Sequence, residues 1–365
     1  MGVSAGGLEL YTGPKLLGAT DDLDAVIREF VDGAWHTLDV AVQEIDSRSI
    51  AEAIIAARAR GVRVRLILEG DYLVESEPPA DPWAAAGDFE ENRVIHAALL
   101  RAGVDVITDL NPSIFHQKFA VRDEAESSAA VLTGSANFTR TDTGTNPIIS
   151  GIDGGNNLNH VVILHGRSAA GQYGAEFERM RAGTFGQLHE RHEPQPREFR
   201  LGRMRIKPLF APRHGPEMEI MKQMLKASRR VDFAMYTFAQ SSGIDDTMIR
   251  LAGGLAIRGV LDRGQGSQTW AATRSLRDAG VALFTNAPGT GVRKVHHKLM
   301  VLDERVTIVG SFNYTGPATT LNDENIIVLG DLEEQSASAE AAQRTISGHA
   351  LTEIDRIVTD LAQPL

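Results

Sequence analysis

Apolar positions along the chain alternate between two spacings. Leu23, Val26, Ile27 and Phe30 recur at helical intervals and predict a helix over about Asp21–Asp32, with a counterpart over Glu217–Ala227. Each precedes a β-rich run, Thr37–Val42 and Arg230–Met235, that reads as a buried strand. A second helix, Ile50–Arg60, ends at Gly61 and feeds a strand at Val62–Leu68. Its counterpart, from about Asp246 to Gly254, feeds Ala256–Leu261. Leu99–Val104 then matches Leu276–Val281. Strand and helix alternate throughout, which calls for an α/β architecture with helices packed on a sheet. The same series is written twice, so each half should supply one sheet and the halves should meet across a pseudo-twofold axis.

Offsets between the copies locate insertions. The offset is 193 at Asp39/Asp232 and 177 at Val104/Val281, so the first copy holds 16 extra residues, around Glu75–Arg93. The acidic, Pro-rich character of that stretch suggests a surface loop. The offset falls again from 176 at Asn137/Asn313 to 165 at Asn157/Asn322. These 11 extra residues lie in Arg140–Asn156, expected to be a lip that shapes the cleft. A Pro-rich polar stretch marks the boundary, giving an N-terminal domain over 1–195, a linker over 196–202 and a C-terminal domain over 203–365. His189 and His192 in this stretch have no third ligand nearby, so they read as solvated and no metal site is expected. The segment from Glu333 to about Ala362 reads as a helix packed on the second domain.

The chemistry lies in a repeated sentence. His116, Lys118 and Asp123 are followed by Gly134-Ser135-Ala136-Asn137-Phe138-Thr139; His296, Lys298 and Asp303 by Gly310-Ser311-Phe312-Asn313-Tyr314-Thr315. The pairs 116/296, 118/298 and 123/303 share one offset, 180. The chain thus resembles the phospholipase D superfamily, whose paired His-x-Lys-x4-Asp motifs form a single phosphodiester-cleaving site. The resemblance implies two tandem phospholipase D-like sheet-and-helix domains and a metal-independent, cofactor-free phosphodiesterase. One histidine would form a covalent phosphohistidine while the other serves as general acid and base.

Lys118 and Lys298 would neutralise the phosphate, Asn137 and Asn313 would donate to its oxygens, and Ser135 and Ser311 would support it. The glycines before these serines let the backbone approach closely. His and Lys two apart on a strand share a face. Asp123 and Asp303 are implied to be structural, and Thr139 and Thr315 to buttress the Ser/Asn turn. His297 should point away from the site, and His160 reads as a satisfied core histidine. The resemblance further implies a carboxylate bracing the histidine of its own half. Glu324 would brace His296, while the first copy carries Asn159 at that position, with Glu44 as a substitute carboxylate. On that basis His296 would be the acid and His116 the nucleophile.

Composition narrows the rest. There is no Cys, which excludes disulfides and thiolate catalysis. The net charge of −11 argues against a nucleic-acid-coating protein, but only a cleft needs to be positive in an enzyme. No secretory signal or membrane span is read, so a cytoplasmic location is expected. The motif wording and the basic Arg140, Arg293 and Lys294 favour a nuclease branch, with nucleic acid as substrate and restraint by a regulatory protein or homo-oligomerisation. The alternatives are a phospholipase D or phosphatidyltransferase, and a non-catalytic scaffold for phosphate-containing ligands.

Overall fold

A computed structural model describes residues 2–74, 81, 83, 87–146, 155–188 and 195–365. The first half contributes strands β1 (Val3–Ala5), β2 (Leu8–Gly13), β3 (Thr37–Val42), β4 (Arg63–Leu68), β5 (Asp105–Thr108), β6 (Lys118–Arg122), β7 (Ala130–Gly134) and β8 (Asn156–His165). Its helices are α1 (Leu23–Asp32), α2 (Arg48–Ala59), α3 (Glu90–Arg101), α4 (Arg140–Thr143) and α5 (Arg167–Arg181). The second half contributes β9 (Phe199–Leu201), β10 (Met204–Ala211), β11 (Arg230–Met235), β12 (Ala256–Leu261), β13 (Ala282–Asn286), β14 (Val292–Val295), β15 (Lys298–Leu302), β16 (Val306–Gly310), β17 (Glu324–Leu329) and β18 (Ala362–Pro364). Its helices are α6 (Pro216–Lys226), α7 (Ile244–Ala252), α8 (Arg263–Gly266), α9 (Thr273–Asp278), α10 (Gly316–Thr320) and α11 (Ala337–Arg356).

The sheets repeat one order. The first runs β1-β2-β8-β7-β6-β3-β4-β5, and the second β9-β10-β17-β16-β15-β11-β12-β13, with β18 added beyond β13. The fold is therefore α/β in two sheet-and-helix halves. The hairpin β1–β2 has its own copy in β9–β10, so Phe199–Leu201, inside the expected linker 196–202, is a strand of the second sheet. The Pro-rich run before it masks its alternating pattern. His189 and His192 lie outside the described residues, as do 75–80 and 84–86 of the first insertion and 147–154 of the second. The last residues of the first insertion, Glu90–Arg93, open helix α3 instead of continuing a loop.

Apolar faces sort into three cores. Leu23, Ile27, Ile50 and Ile54 of α1 and α2 pack on Val40 and Leu66 outside the first sheet. Ile220, Met224 and Met248 of α6 and α7 do the same on Phe233 outside the second. The third core lies between the sheets and joins Phe119, Tyr173 and Phe177 to Phe210, Ile327 and Ile354. Helices α5 and α11 belong to this shared layer. Tyr173 of α5 meets Phe119 and Phe210 edge-on, each with ring centroids 5.1 Å apart. The C-terminal helix, expected on the second domain, touches β1 and β2 as well as β10, β11, β15 and β16. Burying α11 on two sides is what its apolar Ile346, Ala350 and Ile354 require once both sheets face it.

Each half also reaches into the other. Strand β14, immediately before His296, pairs in parallel with Asn156–Leu158 of β8. Pseudosymmetrically, the His116 N–H donates to the Asp323 carbonyl (2.9 Å), and the Asp323 N–H donates to that of Ile114 (3.1 Å). The chain then crosses into its own sheet at Lys118 or Lys298.

The motif aspartates secure the far ends of β6 and β15. Asp123 accepts from the N–H groups of Trp35, His36 and Thr37 and from the Ser128 hydroxyl. Asp303 accepts from the N–H groups of Ser228, Arg229 and Arg230. Burial pushes both carboxyls up, but these donors outweigh it and hold them below the ordinary range. Such a depressed group stabilises the fold above its unfolded pKa and loses that contribution as pH falls. Replacement of Asp303 by Ala should therefore cost roughly 2–4 kcal/mol at pH 7 by denaturant unfolding. The gap from wild type should narrow below about pH 4.

Candidate active site

Strands β6 and β15 are central in their sheets, and the residues just before them converge on one cleft of about 460 Å³. His116, His296, Asn137 and Asn313 line it, joined by Gln43 and Tyr236. The two histidines and Lys118 and Lys298 are all buried. Both lysines turn back so that Nζ donates to the carbonyl two residues earlier, of His116 and His296 (2.9 Å each). Lys118 also donates to Gln43 Oε1 (3.1 Å), whereas Lys298 lies 5.3 Å from the Tyr236 ring centroid.

The bracing of the histidines departs from the expectation. Glu324 Oε2 lies 2.6 Å from Nδ1 of His116, the histidine of the other half. Asn159 Oδ1 lies 2.9 Å from Nδ1 of His296, again across the interface. The physical cause is the strand crossing. Ile114–His116 runs beside the start of β17, and Val292–His296 beside the start of β8, so each histidine lands next to the other half's brace. Glu44 lines the cleft but is not the carboxylate paired with His116.

Ser135 and Ser311, expected at the phosphate, are fully buried with their hydroxyls committed to the braces. Ser135 donates to Asn159 Oδ1 (2.8 Å) and Ser311 to Glu324 Oε2 (2.6 Å), while the N–H groups of His160 and Asn325 donate to the serine oxygens (3.0 Å each). The preceding glycines make this approach possible. A Cβ on Gly134 would sit 2.2 Å from the His160 carbonyl oxygen, and one on Gly310 equally close to that of Asn325. Thr139 and Thr315 are helix N-caps, accepting from the N–H groups of Asp142 in α4 and Ala318 in α10.

A second layer of cross-links lies behind the braces. Asn325 Nδ2 donates to Gln117 Oε1 (2.8 Å), and Gln117 Nε2 donates to the Glu324 carbonyl (3.1 Å). At the equivalent place His160 and His297 stack with their Nδ1 atoms 3.1 Å apart, and His297 Nε2 lies 3.2 Å from Glu353. His297 thus points away from the cleft and His160 is a partnered core residue, as their positions in the sequence indicated.

Electrostatically the cleft sets basic and acidic groups close together in a buried setting: Lys118, Lys298 and the two histidines beside Glu44, Asp46, Asp142 and Glu324. Burial pushes Lys118 down to about 8 and lowers Lys298 well below the ordinary lysine value, the latter helped by Lys118 itself. Burial likewise lowers His116 and His296, reinforced by the two lysines. Burial raises Glu324 to about 8 against the pull of Lys118. Glu44 is raised to about 7 by burial and by Asp46 and Asp142. An anion bound among these basic groups would favour their protonated forms. Lys294 and Arg293 line the rim.

Gln43, Tyr236 and Asp142 were not singled out from the sequence. Gln43 and Tyr236 share the 193-residue offset of their strands and directly follow the aligned runs, so the repeat itself carried that signal. Asp142 lies in the second insertion and has no acidic counterpart, since Ala318 occupies the matching position.

The family model described as "Cardiolipin synthase, PLD-like domain" matches residues 27–181 and 220–345, well over half of the chain. Phospholipase D of Rickettsia conorii is 29% identical over 140 residues, 36% of this chain and 65% of the relative. Mitochondrial cardiolipin hydrolase of Xenopus tropicalis is 31% identical over 147 residues, 40% of this chain and 55% of the relative. The matches thus span about half to two-thirds of these curated relatives. Phosphatidylserine synthase from Haemophilus influenzae shares the fold, with a TM-score of 0.66 at 11% identity, over 100% of this chain and 88% of that one.

Because Lys118 is cationic below about pH 8 and neutral above it, sulfate affinity should fall as pH rises from 7 to 9. Calorimetric titration of sulfate, whose charge is constant over that range, would check this. Lys118→Met should weaken binding at pH 7 about ten- to a hundredfold, the worth of one charged hydrogen bond. It should also flatten the pH dependence.

Proposed function

We propose that this chain, which belongs to the phospholipase D-like family, cleaves or exchanges phospholipid phosphodiester bonds in two steps through a phosphohistidine. The observation that carries the reading is the pair of histidines from opposite halves lining one cleft beside two buried lysines. Nε2 of His116 attacks phosphorus, forming a P–N bond as the P–O bond to the leaving group breaks. His296 gives its proton to the departing oxygen. A water or alcohol then attacks phosphorus, losing its proton to the now neutral His296 and breaking the P–N bond. Water completes hydrolysis; an alcohol completes transfer. Lys118 and Lys298 hold the nonbridging oxygens, with the amides of Asn137 and Asn313 as further donors.

The observed brace supports His116 as nucleophile on different grounds from those expected. When ionised, Glu324 accepts the Nδ1 proton of His116, which leaves the Nε2 lone pair facing the phosphate and makes it more basic; with its pKa raised to about 8 it does so increasingly as pH rises. It also offsets the positive charge that the ring acquires on phosphorylation. His296, braced by an amide, is freer to exchange its proton.

Lipid is favoured over nucleic acid as substrate. The matched family and the curated relatives carry lipid-acting names, cardiolipin synthase, phospholipase D and cardiolipin hydrolase. Among the described residues no helix is long and apolar enough to cross a membrane.

The decisive assay follows head-group release from cardiolipin, phosphatidylglycerol and phosphatidylcholine micelles in excess EDTA, with labelled DNA and RNA in parallel. Lipid turnover is expected, and His116→Ala should lower it at least about a thousandfold. Acid-labile phosphate trapped on His116 is expected in wild type. Nucleic-acid cleavage with lipid silence would return the assignment to a nuclease. Silence throughout would overturn the enzymatic reading.

A further inference from the structure

Each histidine in the cleft needs a compensating negative charge, yet only His116 has a carboxylate in the strand position that braces it. His296 has the neutral amide of Asn159 there, and after burial it is surrounded by Lys298, Lys118, Lys294 and His116, all of which disfavour its protonated form. A general acid so placed lacks a counter-charge. Asp142 stands where one would be useful. Its side chain is buried and its Oδ2 lies 3.7 Å from His296 Nδ1.

The rest of its environment aims it there. Asp142 Oδ2 accepts the Asn137 N–H (2.7 Å), and Oδ1 accepts from Asn157 Nδ2 (2.5 Å). Its backbone carbonyl accepts from Asn159 Nδ2 (3.2 Å), which turns Asn159 Oδ1 toward His296. The same residue thus orients the amide that holds His296 and brings a charge to the ring's edge. Glu44 and Asp46 share this wall, and Tyr236 packs against the other side of His296, ring centroids 5.1 Å apart.

We propose that Asp142 is the positioning carboxylate of His296, doing from the α4 turn what Glu324 does for His116 from strand β17. Each histidine then has one carboxylate from the opposite half, delivered from different places in the two copies. The more distant charge stabilises the imidazolium while leaving Nδ1 hydrogen-bonded to an amide, which suits a group that must both give and take a proton. This rests on the phosphodiester reading above, with His296 as acid in the first step and base in the second.

The test compares wild type, Asp142→Asn and the double variant Asp142→Asn/Asn159→Asp, which moves the carboxylate to the strand. Methyl p-nitrophenyl phosphate and methyl phenyl phosphate serve as probes, because the poorer phenolate leaving group depends more on a proton donor. Asp142→Asn should slow the phenyl ester on the order of tenfold more than the nitrophenyl ester, and the double variant should recover most of that gap. Equal slowing of both esters would mean a merely structural role and overturn the proposal.

Histidine-selective NMR titration gives a readout independent of turnover. The pKa of His296 should fall by about one unit in Asp142→Asn and return in the double variant. An unchanged value would overturn the proposal. If wild type turns over neither ester, this titration still judges Asp142, and the lipid and nucleic-acid assays above judge the enzymatic reading. Should Asp142→Asn not fold, Asn159→Asp alone decides. A rise of less than about one unit is expected where Asp142 already supplies the charge, and any larger rise overturns it.

Discussion

Everything at the centre of this molecule depends on two short crossings, in which the segment ahead of each motif pairs with the other half before joining its own sheet. Ile114–His116 lies along the start of β17, and Val292–Val295 along the start of β8. The crossings place each histidine against a brace from the opposite half, at Glu324 and Asn159. Neither half can complete its own histidine. The brace, the serine behind it and the Gln117–Asn325 or His160–His297 contact form a buried polar stack; the serine bonds lie within one half, while the other contacts form only when the halves dock. Unmaking it would strand buried polar groups on both sides, so the docking of the halves and the geometry of the site are one constraint.

The apolar layer between the sheets makes that docking rigid. Tyr173 on α5 and Ile354 on α11 sit in a core drawn from both sheets, and α11 rests on strands of each. Buried Glu176 of α5 pairs with Arg213, just past β10 of the second half. A site held by two histidines on different sheets needs such an interface, because a relative shift of about 1 Å would part the 2.6 Å contact.

Within this near-symmetric frame the two copies have diverged chemically. The backbone repeats strand for strand, but glutamate faces one histidine and asparagine the other; glutamine supports one lysine and a tyrosine ring the other. Duplication supplies two equal sites for a histidine. Divergence at the braces makes them unequal, which suits the proposed reaction, in which one ring would bond phosphorus and the other carry protons.

The sequence by itself determined the duplication, the α/β class and the residues that meet at the centre, because those depend on local periodicity and on a motif written twice in one register. The runs Thr37–Val42 and Arg230–Met235 coincide with strands; His116, Asn137, His296 and Asn313 line one cleft, with Lys118 and Lys298 buried next to the histidines, as the resemblance implied. The hairpin β9–β10 was not read, because its first strand follows a Pro-rich run and lies inside the expected linker 196–202. Only the tertiary structure decided which brace serves which histidine, that Ser135 and Ser311 face the braces, and that Asp142 reaches His296. The histidine contacts join residues more than a hundred positions apart, across an interface whose pairing no local pattern encodes. A carboxylate is read most readily as serving its own half; the crossing strands assign it to the other.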